Sequence, residues 1–442
     1  MLKKCLSILL VFALCLSLAA CGNGSDTQDE SAAEESRAQE IGEESEAVSG
    51  AEAVQASFDS EPERFETDAL TWEFDASNGT LSIHGEGPMR DYSEEAPEWD
   101  LYKDQVLSIA LDDGITSVGA YAFYDYPAVT EAHLPDSIEV IDTSAFDYDW
   151  NLQSITIPAS VKYIGGRAFY NTLLQSPQDL VFPEGCTYIG DSAFHSALKT
   201  GGIASLPSTL KYLGSNAFTN AVVSDFIVSE SNETYCSKNH AIYTKDMKQL
   251  LMLAPFAEDV TEFHVPDGVE RISSECFNLI HGIREVYIPA SVTEIPEGTF
   301  FSTFDLIEII VDEANPNYRS EAGLLLSKDG KVLLAWPDGI QASELMIPGS
   351  VERIGAYLFY GRYDGSYSVV ISEGVKEIGA MSLPGSMASL SLPSSLEKID
   401  EYVFYDGISI DAVSYNGSAA DWENILIGEN NPGLDAIAIS MN

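Results

Sequence analysis

The sequence predicts a β-rich repeat solenoid, a stack of coils with parallel strands on one face and short turns or helical fragments on the other. Three observations predict it. Eleven positions separate Pro135 from Phe146, and the same step recurs at Pro158–Phe169, Pro183–Phe194, Pro207–Phe218, Pro266–Phe277, Pro289–Phe300, Pro348–Phe359 and Pro393–Phe404. A fixed internal period marks units that bury their apolar faces only against their neighbours. Apolar residues also sit one and three places before the proline, as in Leu134 and Ala132, Ile157 and Ile155, Ile288 and Val286, Leu392 and Leu390. That alternation belongs to a strand with one buried face. Finally, the two longest gaps, Phe218 to Pro266 and Phe300 to Pro348, are both 48 residues.

Residues 1–20 read as an export signal, with Lys3 and Lys4 ahead of the apolar run Leu6–Leu18, which is too short to span a bilayer. Leu18-Ala19-Ala20-Cys21 resembles the bacterial lipobox, in which cleavage leaves a lipidated Cys21 at the membrane. Residues 21–68 then form the lipidated cysteine and an acidic tether. Positions 22–68 hold fifteen Asp or Glu against Arg37 and Arg64, with few large apolar side chains to offset ordering entropy. A tether after an anchor holds a domain away from the membrane.

The solenoid is expected over 106–408, between an N-terminal cap at 69–105 and a C-terminal cap at 409–442. Within each unit the proline ends the first strand, because it has no amide to continue the ladder. Three places later comes Ile138, Val161, Leu210, Val269, Val292, Val351 or Leu396, and six places later Ile141, Ile164, Ile189, Leu213, Ile272, Ile295, Ile354 or Ile399. Gly165, Gly190, Gly214 and Gly355 follow, suited to a tight turn, and a small residue plus Phe closes the unit. Asp112 and Ser372 take the proline slot in two degenerate units, which makes ten in all. The insertions, at about 226–260 and 308–342, share the landmarks Asn232…Tyr235…Lys245-Asp246 and Asn315…Tyr318…Lys328-Asp329. Apolar runs around Asp329-Gly330 predict a hairpin, so one module is used twice.

The chain carries 22 Lys and Arg against 70 Asp and Glu, a formal net charge of −48. Such a surface repels nucleic acid and anionic headgroups, and favours cationic proteins, peptides or divalent ions. Cys5 and Cys15 fall in the signal. Cys186 and Cys276 occupy slots where neighbouring units carry apolar residues, and Cys236 lies in an insertion, so no disulfide framework is implied.

The unit Leu152-Gln153-Ser154-Ile155-Thr156-Ile157-Pro158-Ala159-Ser160-Val161-Lys162-Tyr163-Ile164-Gly165-Gly166-Arg167-Ala168-Phe169 resembles the BspA-like leucine-rich repeats of bacterial surface proteins. Their consensus is approximately L-x-x-I-x-I-P-x-S-V-x-x-I-G-x-x-A-F, and the resemblance covers roughly residues 70–440. It implies a leucine-rich-repeat right-handed coil and a cell-surface lipoprotein acting in adhesion or protein–protein binding. Glycan or nutrient capture, or a passive envelope scaffold, are the alternatives. Many family units carry Cys three places after Phe; here Tyr126, Asp149, Thr172 and Ala197 stand there, which alters the chemistry of one edge.

No catalytic machinery is legible. The histidines His84, His133, His195, His240, His264 and His281 show no metal-binding spacing, and no phosphate loop, dinucleotide fingerprint or G-x-S-x-G is present. Neither an enzyme nor a cofactor is expected. The candidate binding edge is the loop after Phe in the early units: Tyr124 and Tyr126, then Asp147, Tyr148, Asp149 and Trp150, then Tyr170-Asn171. Stacking would align these into aromatics interleaved with carboxylates, suited to a cationic partner or sugar hydroxyls. Calcium between Asp147 and Asp149 lacks a full loop motif. The plainer alternative is that the rings pack on adjacent loops and the acids are solvated.

Overall fold

The computed structural model describes residues 70–441 except 176–179, 200–201, 258–259, 341, 360–366 and 407. The export signal, Cys21 and the tether lie outside the described residues. The chain forms a parallel-strand β-solenoid of about 14 turns with little helix.

Each coil contributes a strand ahead of the proline slot and a shorter one after it. The first kind, here called long strands, pair in parallel from coil to coil, with Ile109↔Ala132↔Ile155 in register. The short strands pair likewise, with Val118↔Ile141↔Ile164↔Ile189↔Leu213 aligned. A residue in a given slot therefore stacks on the same slot of the next coil. The serine of the P-x-S pattern joins coils as well: Ser137 and Ser160 donate from Oγ to Ile115 O at 2.7 Å and Ile138 O at 2.6 Å.

The side opposite the strands is built of turns rather than helical fragments, and backbone conformation shows why. The residue two places before Phe takes a left-handed φ at Tyr121, Ser144, Arg167, Ser192 and Asn216; so does the one two places after, at Asp125, Tyr148, Asn171, Ser196 and Asn220. No helix continues through such residues. Instead the amides form a third ladder: Phe123 N donates to Ala145 O at 3.0 Å, Phe146 N to Ala168 O at 2.9 Å and Phe169 N to Ala193 O at 2.8 Å.

The phenyl rings of this turn are buried and stack into a column. Phe123, Phe146, Phe169, Phe194 and Phe218 follow one another with centroids 5.4, 5.6, 5.1 and 5.5 Å apart. Trp99 stands on its first ring at 6.1 Å and donates its indole N–H to Ala122 O. Cys186 and Cys276 are buried apolar fillers, as their slots implied.

The glycine slot has a different purpose from the one expected. Gly165, Gly190 and Gly214 do not have positive φ; a Cβ on them would meet backbone N of the preceding coil at 2.3, 2.4 and 2.3 Å. Glycine stands there because two backbones touch, not because the chain turns.

Each insertion is a complete coil carrying a hairpin. Val223–Val228 extends the long-strand sheet beside Gly202–Leu206. Tyr235–Lys238 and Ala241–Thr244 then pair antiparallel, and Gln249–Leu253 returns to lie parallel to the short strand Arg271–Ile272. Glu308–Val311, Tyr318–Glu321, Leu324–Ser327 and Val332–Ala335 repeat this, with Gly330 at φ 73 in the expected turn. Buried Asn232 and Asn315 anchor the two modules. Asn232 Nδ2 donates to Pro207 O and Leu210 O, and its Oδ1 accepts from Thr234 N and Tyr235 N. Asn315 repeats the set with Pro289 O, Val292 O, Asn317 N and Tyr318 N.

Candidate functional site

The turns after Phe123, Phe146 and Phe169 stack directly, because Asp125 N donates to Asp147 O at 2.8 Å, Tyr148 N to Tyr170 O and Asn171 N to His195 O at 2.9 Å. Three of the aromatics picked out from the sequence meet the surface as a group. Tyr124 is 38% exposed, and Tyr148 and Trp150 are half-buried. Tyr148 lies at the centre, 5.9 Å from Tyr124 and 5.3 Å from Trp150.

Tyr126, Asp147 and Asp149 do not join them; all three are buried. The left-handed residue two places after Phe reverses the chain, so the next side chain points inward. Tyr126, Asp149, Thr172 and Ala197 accordingly form one internal column. Asp149 accepts the Tyr126 amide on Oδ1 at 2.7 Å, while its Oδ2 is enclosed without a hydrogen-bond partner. Both oxygens of Asp147 are engaged by Arg167, with Nε to Oδ2 at 2.7 Å and Nη2 to Oδ1 at 3.2 Å, and Ser144 Oγ also donates to Oδ2. Asp147 is thus engaged by Arg167 and Ser144, and Asp149 by the Tyr126 amide. Among the described residues no group of three His, Cys, Asp or Glu is placed to hold a metal ion.

Burial dominates the electrostatics of this cluster. It raises Asp147 to about 6 against the pull of Arg167 and Ser144, and holds Asp149 well above the usual carboxylate range. Burial pushes the Tyr124 phenol up to about 12. His195, buried in the slot after Phe194, is lowered to about 3 by burial and then by Arg167, so it is neutral at physiological pH.

Two constellations were not anticipated. Arg167 lies over the Tyr170 ring at 3.7 Å and near Tyr148 at 5.6 Å, and Tyr170 stacks on His195 at 4.8 Å. The result is a guanidinium–aromatic stack beneath the exposed ring edge. Its arginine sits twenty residues from Asp147, a distance that no local pattern reports. The second is a ladder of Tyr163, Tyr188 and Tyr212 on the short strands, with centroids 4.4 and 4.5 Å apart and Tyr212 OH donating to Asp191 at 3.1 Å. Here a signal existed, since all three directly precede the Ile or Leu of the same slot, Ile164, Ile189 and Leu213.

What this surface offers chemically is contact: ring edges, phenol hydroxyls and carboxylates held at fixed spacing by the stack. The family model described as BspA type leucine rich repeat region matches in six copies, at residues 102–200, 175–245, 256–322 and 338–426. No curated protein matches. Among solved structures, a leucine rich cell surface protein from Faecalibacterium prausnitzii is 20% identical, covering 83% of this chain and 98% of that one with a TM-score of 0.47. A leucine-rich repeat protein from Bacteroides ovatus is 16% identical over 86% and 99%, TM-score 0.36. The pneumococcal vaccine antigen PcpA is 15% identical over 86% and 98%, TM-score 0.30. With its repeat region matched over most of its length, the chain belongs to the BspA-type leucine-rich-repeat family.

Proposed function

We propose that this protein is exported, lipid-anchored through Cys21 and displayed at the cell surface, where its solenoid mediates adhesion by binding other proteins. The observation that carries this reading is the register of the sheets. Parallel long strands align residue for residue, as in Phe263↔Val286↔Ile309, so outward side chains of different coils form rows about 4.8 Å apart. Rows of that kind match an extended macromolecular partner better than a small molecule. The acidic tether would carry them clear of the envelope, and the charge balance favours a cationic partner over nucleic acid.

The test has two parts. Cells expressing the full chain should incorporate an alkyne-tagged fatty acid into it, lose that label in Cys21→Ser, and yield solenoid peptides on protease shaving. The immobilised protein should then capture extracellular proteins. Failure of both labelling and shaving would defeat the anchoring and display.

The exposed edge of Tyr124, Tyr148 and Trp150 supports a second reading, glycan capture, since ring edges with nearby hydroxyls suit sugars. Glycan arrays separate the two, because Tyr148→Ala and Trp150→Ala should abolish sugar binding under this reading and leave protein capture intact.

A further inference from the structure

Positive charge is divided unevenly between the two strand faces. None of the described long strands contains Lys or Arg. The short-strand face is where cations lie, and they bridge neighbouring coils: Lys162–Glu139 at 2.8 Å, Lys376–Glu352 at 3.4 Å, Lys398–Glu377 at 2.9 Å and Lys331–Glu352. One face is therefore neutralised internally, and the other is not.

On the unneutralised face, five successive coils repeat one outward pattern, an acid and, two residues on, an apolar or aromatic side chain. The pairs are Asp225 and Ile227, Glu262 and His264, Glu285 and Tyr287, Glu308 and Ile310, Glu344 and Met346. In the middle three, the glutamates stand in register, as do the residues beside them. His264 and Tyr287 stack at 4.0 Å, and Ile227 and Met346 are about half exposed. The glutamates gain little compensation. Among the described residues, Asp225 has His240 Nδ1 at 3.3 Å, Glu262 has His264 Nε2 at 3.7 Å, Glu285 accepts from Tyr287 OH at 2.8 Å, and Glu308 has no ion pair. Among the described residues, Arg284, just ahead of the strand Glu285–Ile288, forms an ion pair with none of these three glutamates. Like charges directly across a ladder oppose folding, so this arrangement is electrostatically unfinished.

We propose that this double stripe, from Asp225 to Met346, docks a cationic amphipathic segment of a partner protein. Its Lys or Arg side chains lie over the acid row, and its apolar side chains over Ile227, Tyr287, Ile310 and Met346. The two rows act together, because excluding water beside a carboxylate strengthens its attraction for a cation. The overall charge of −48 steers such a segment toward the protein, whereas nucleic acids and anionic bilayers are repelled. The proposal rests on the protein-binding reading above and adds its face and its partner chemistry.

The test uses the mature protein and a fluorescent amphipathic helix of Leu and Lys, read by anisotropy against the same peptide with Glu for Lys. The triple variant Glu262→Gln, Glu285→Gln, Glu308→Gln should weaken binding of the Lys peptide roughly tenfold, about 1.4 kcal/mol for the three exposed pairs together, and flatten its salt dependence. Tyr287→Ala should weaken it while keeping that salt dependence. A control triple on exposed acids elsewhere, Glu401→Gln, Glu423→Gln, Glu429→Gln, should change it less than about twofold. Equal losses in both triples, or no binding of the Lys peptide, would overturn the proposal. If an extracellular partner is captured regardless of the first triple, the adhesion reading survives and this face does not.

Discussion

Replacing Gly190 with alanine puts a methyl group 2.4 Å from Gly166 N, 2.6 Å from Gly165 C and 2.8 Å from Gly166 Cα. All three are backbone atoms, so no side chain can swing aside; the coils themselves must part. Overpacking of this kind costs about 1–3 kcal/mol. Parting also stretches the Gly190 N to Ile164 O and Arg167 N to Asp191 O bonds between the same two coils, 2.8 and 2.9 Å, each contributing about 1 kcal/mol. Together these amount to a loss of about 3–5 kcal/mol. Gly185 is the internal control. Its φ is +112° and a Cβ there meets nothing within 4 Å, so Gly185→Ala should cost only the left-handed strain of roughly 1–2 kcal/mol. Because a stack of coils need not unfold in one step, the readout should be hydrogen exchange resolved by peptide during urea titration. Gly190→Ala should lower protection most across residues 161–218, and Gly185→Ala much less. If Gly185→Ala proves the more damaging, or Gly190→Ala costs less than about 1 kcal/mol, the close-approach argument is wrong.

Phe169→Ala removes a ring packed between Phe146 and Phe194 and should cost about 3–5 kcal/mol in a urea melt; a loss below 1 kcal/mol would contradict a continuous column. Asn232→Ala strips four hydrogen bonds at a buried site and should cost about 2–4 kcal/mol, with exchange rising first in the hairpin it anchors. His195 has a folded value of about 3 against an ordinary 6.5, so the unfolded chain takes up the proton first and stability falls as pH drops below 6.5. Between pH 7 and pH 5 this should cost about 2 kcal/mol relative to His195→Phe, whose profile lacks the step; parallel profiles would refute it. Asp149 has the opposite sign: its folded value is raised, so its ionisation opposes folding above that value and the penalty fades as pH falls toward 3.8. Asp149→Asn should therefore raise the melting temperature at pH 8 and lose the advantage near pH 4.

Much of the architecture could be read from residue slots, and the candidate site only in part. The Pro-to-Phe step located the strands, the buried phenyl column and the equal insertions. The exposure of the candidate edge was half legible. Tyr124, Tyr148 and Trp150 reach the surface, but Tyr126 and Asp149 turn inward at a position where other units carry Thr172 and Ala197, whose small size was the unheeded sign of an interior slot. The long-strand acids went unread for another reason. Each alone is an ordinary exposed glutamate, and only alignment of Glu262, Glu285 and Glu308 makes them a row.

What the sequence determined by itself is the repeat and its core, because a solenoid places every copy of a slot in the same surroundings, and burial then shows as a recurring residue type. Tertiary structure alone decided how far apart the coils stand and which way the turn side chains face. Gly190 touching Gly166, Arg167 reaching Asp147 and Arg353 reaching Glu297 depend on distances between coils. The inward turn of Asp149 depends on a left-handed φ at Tyr148, a conformation that tyrosine does not announce.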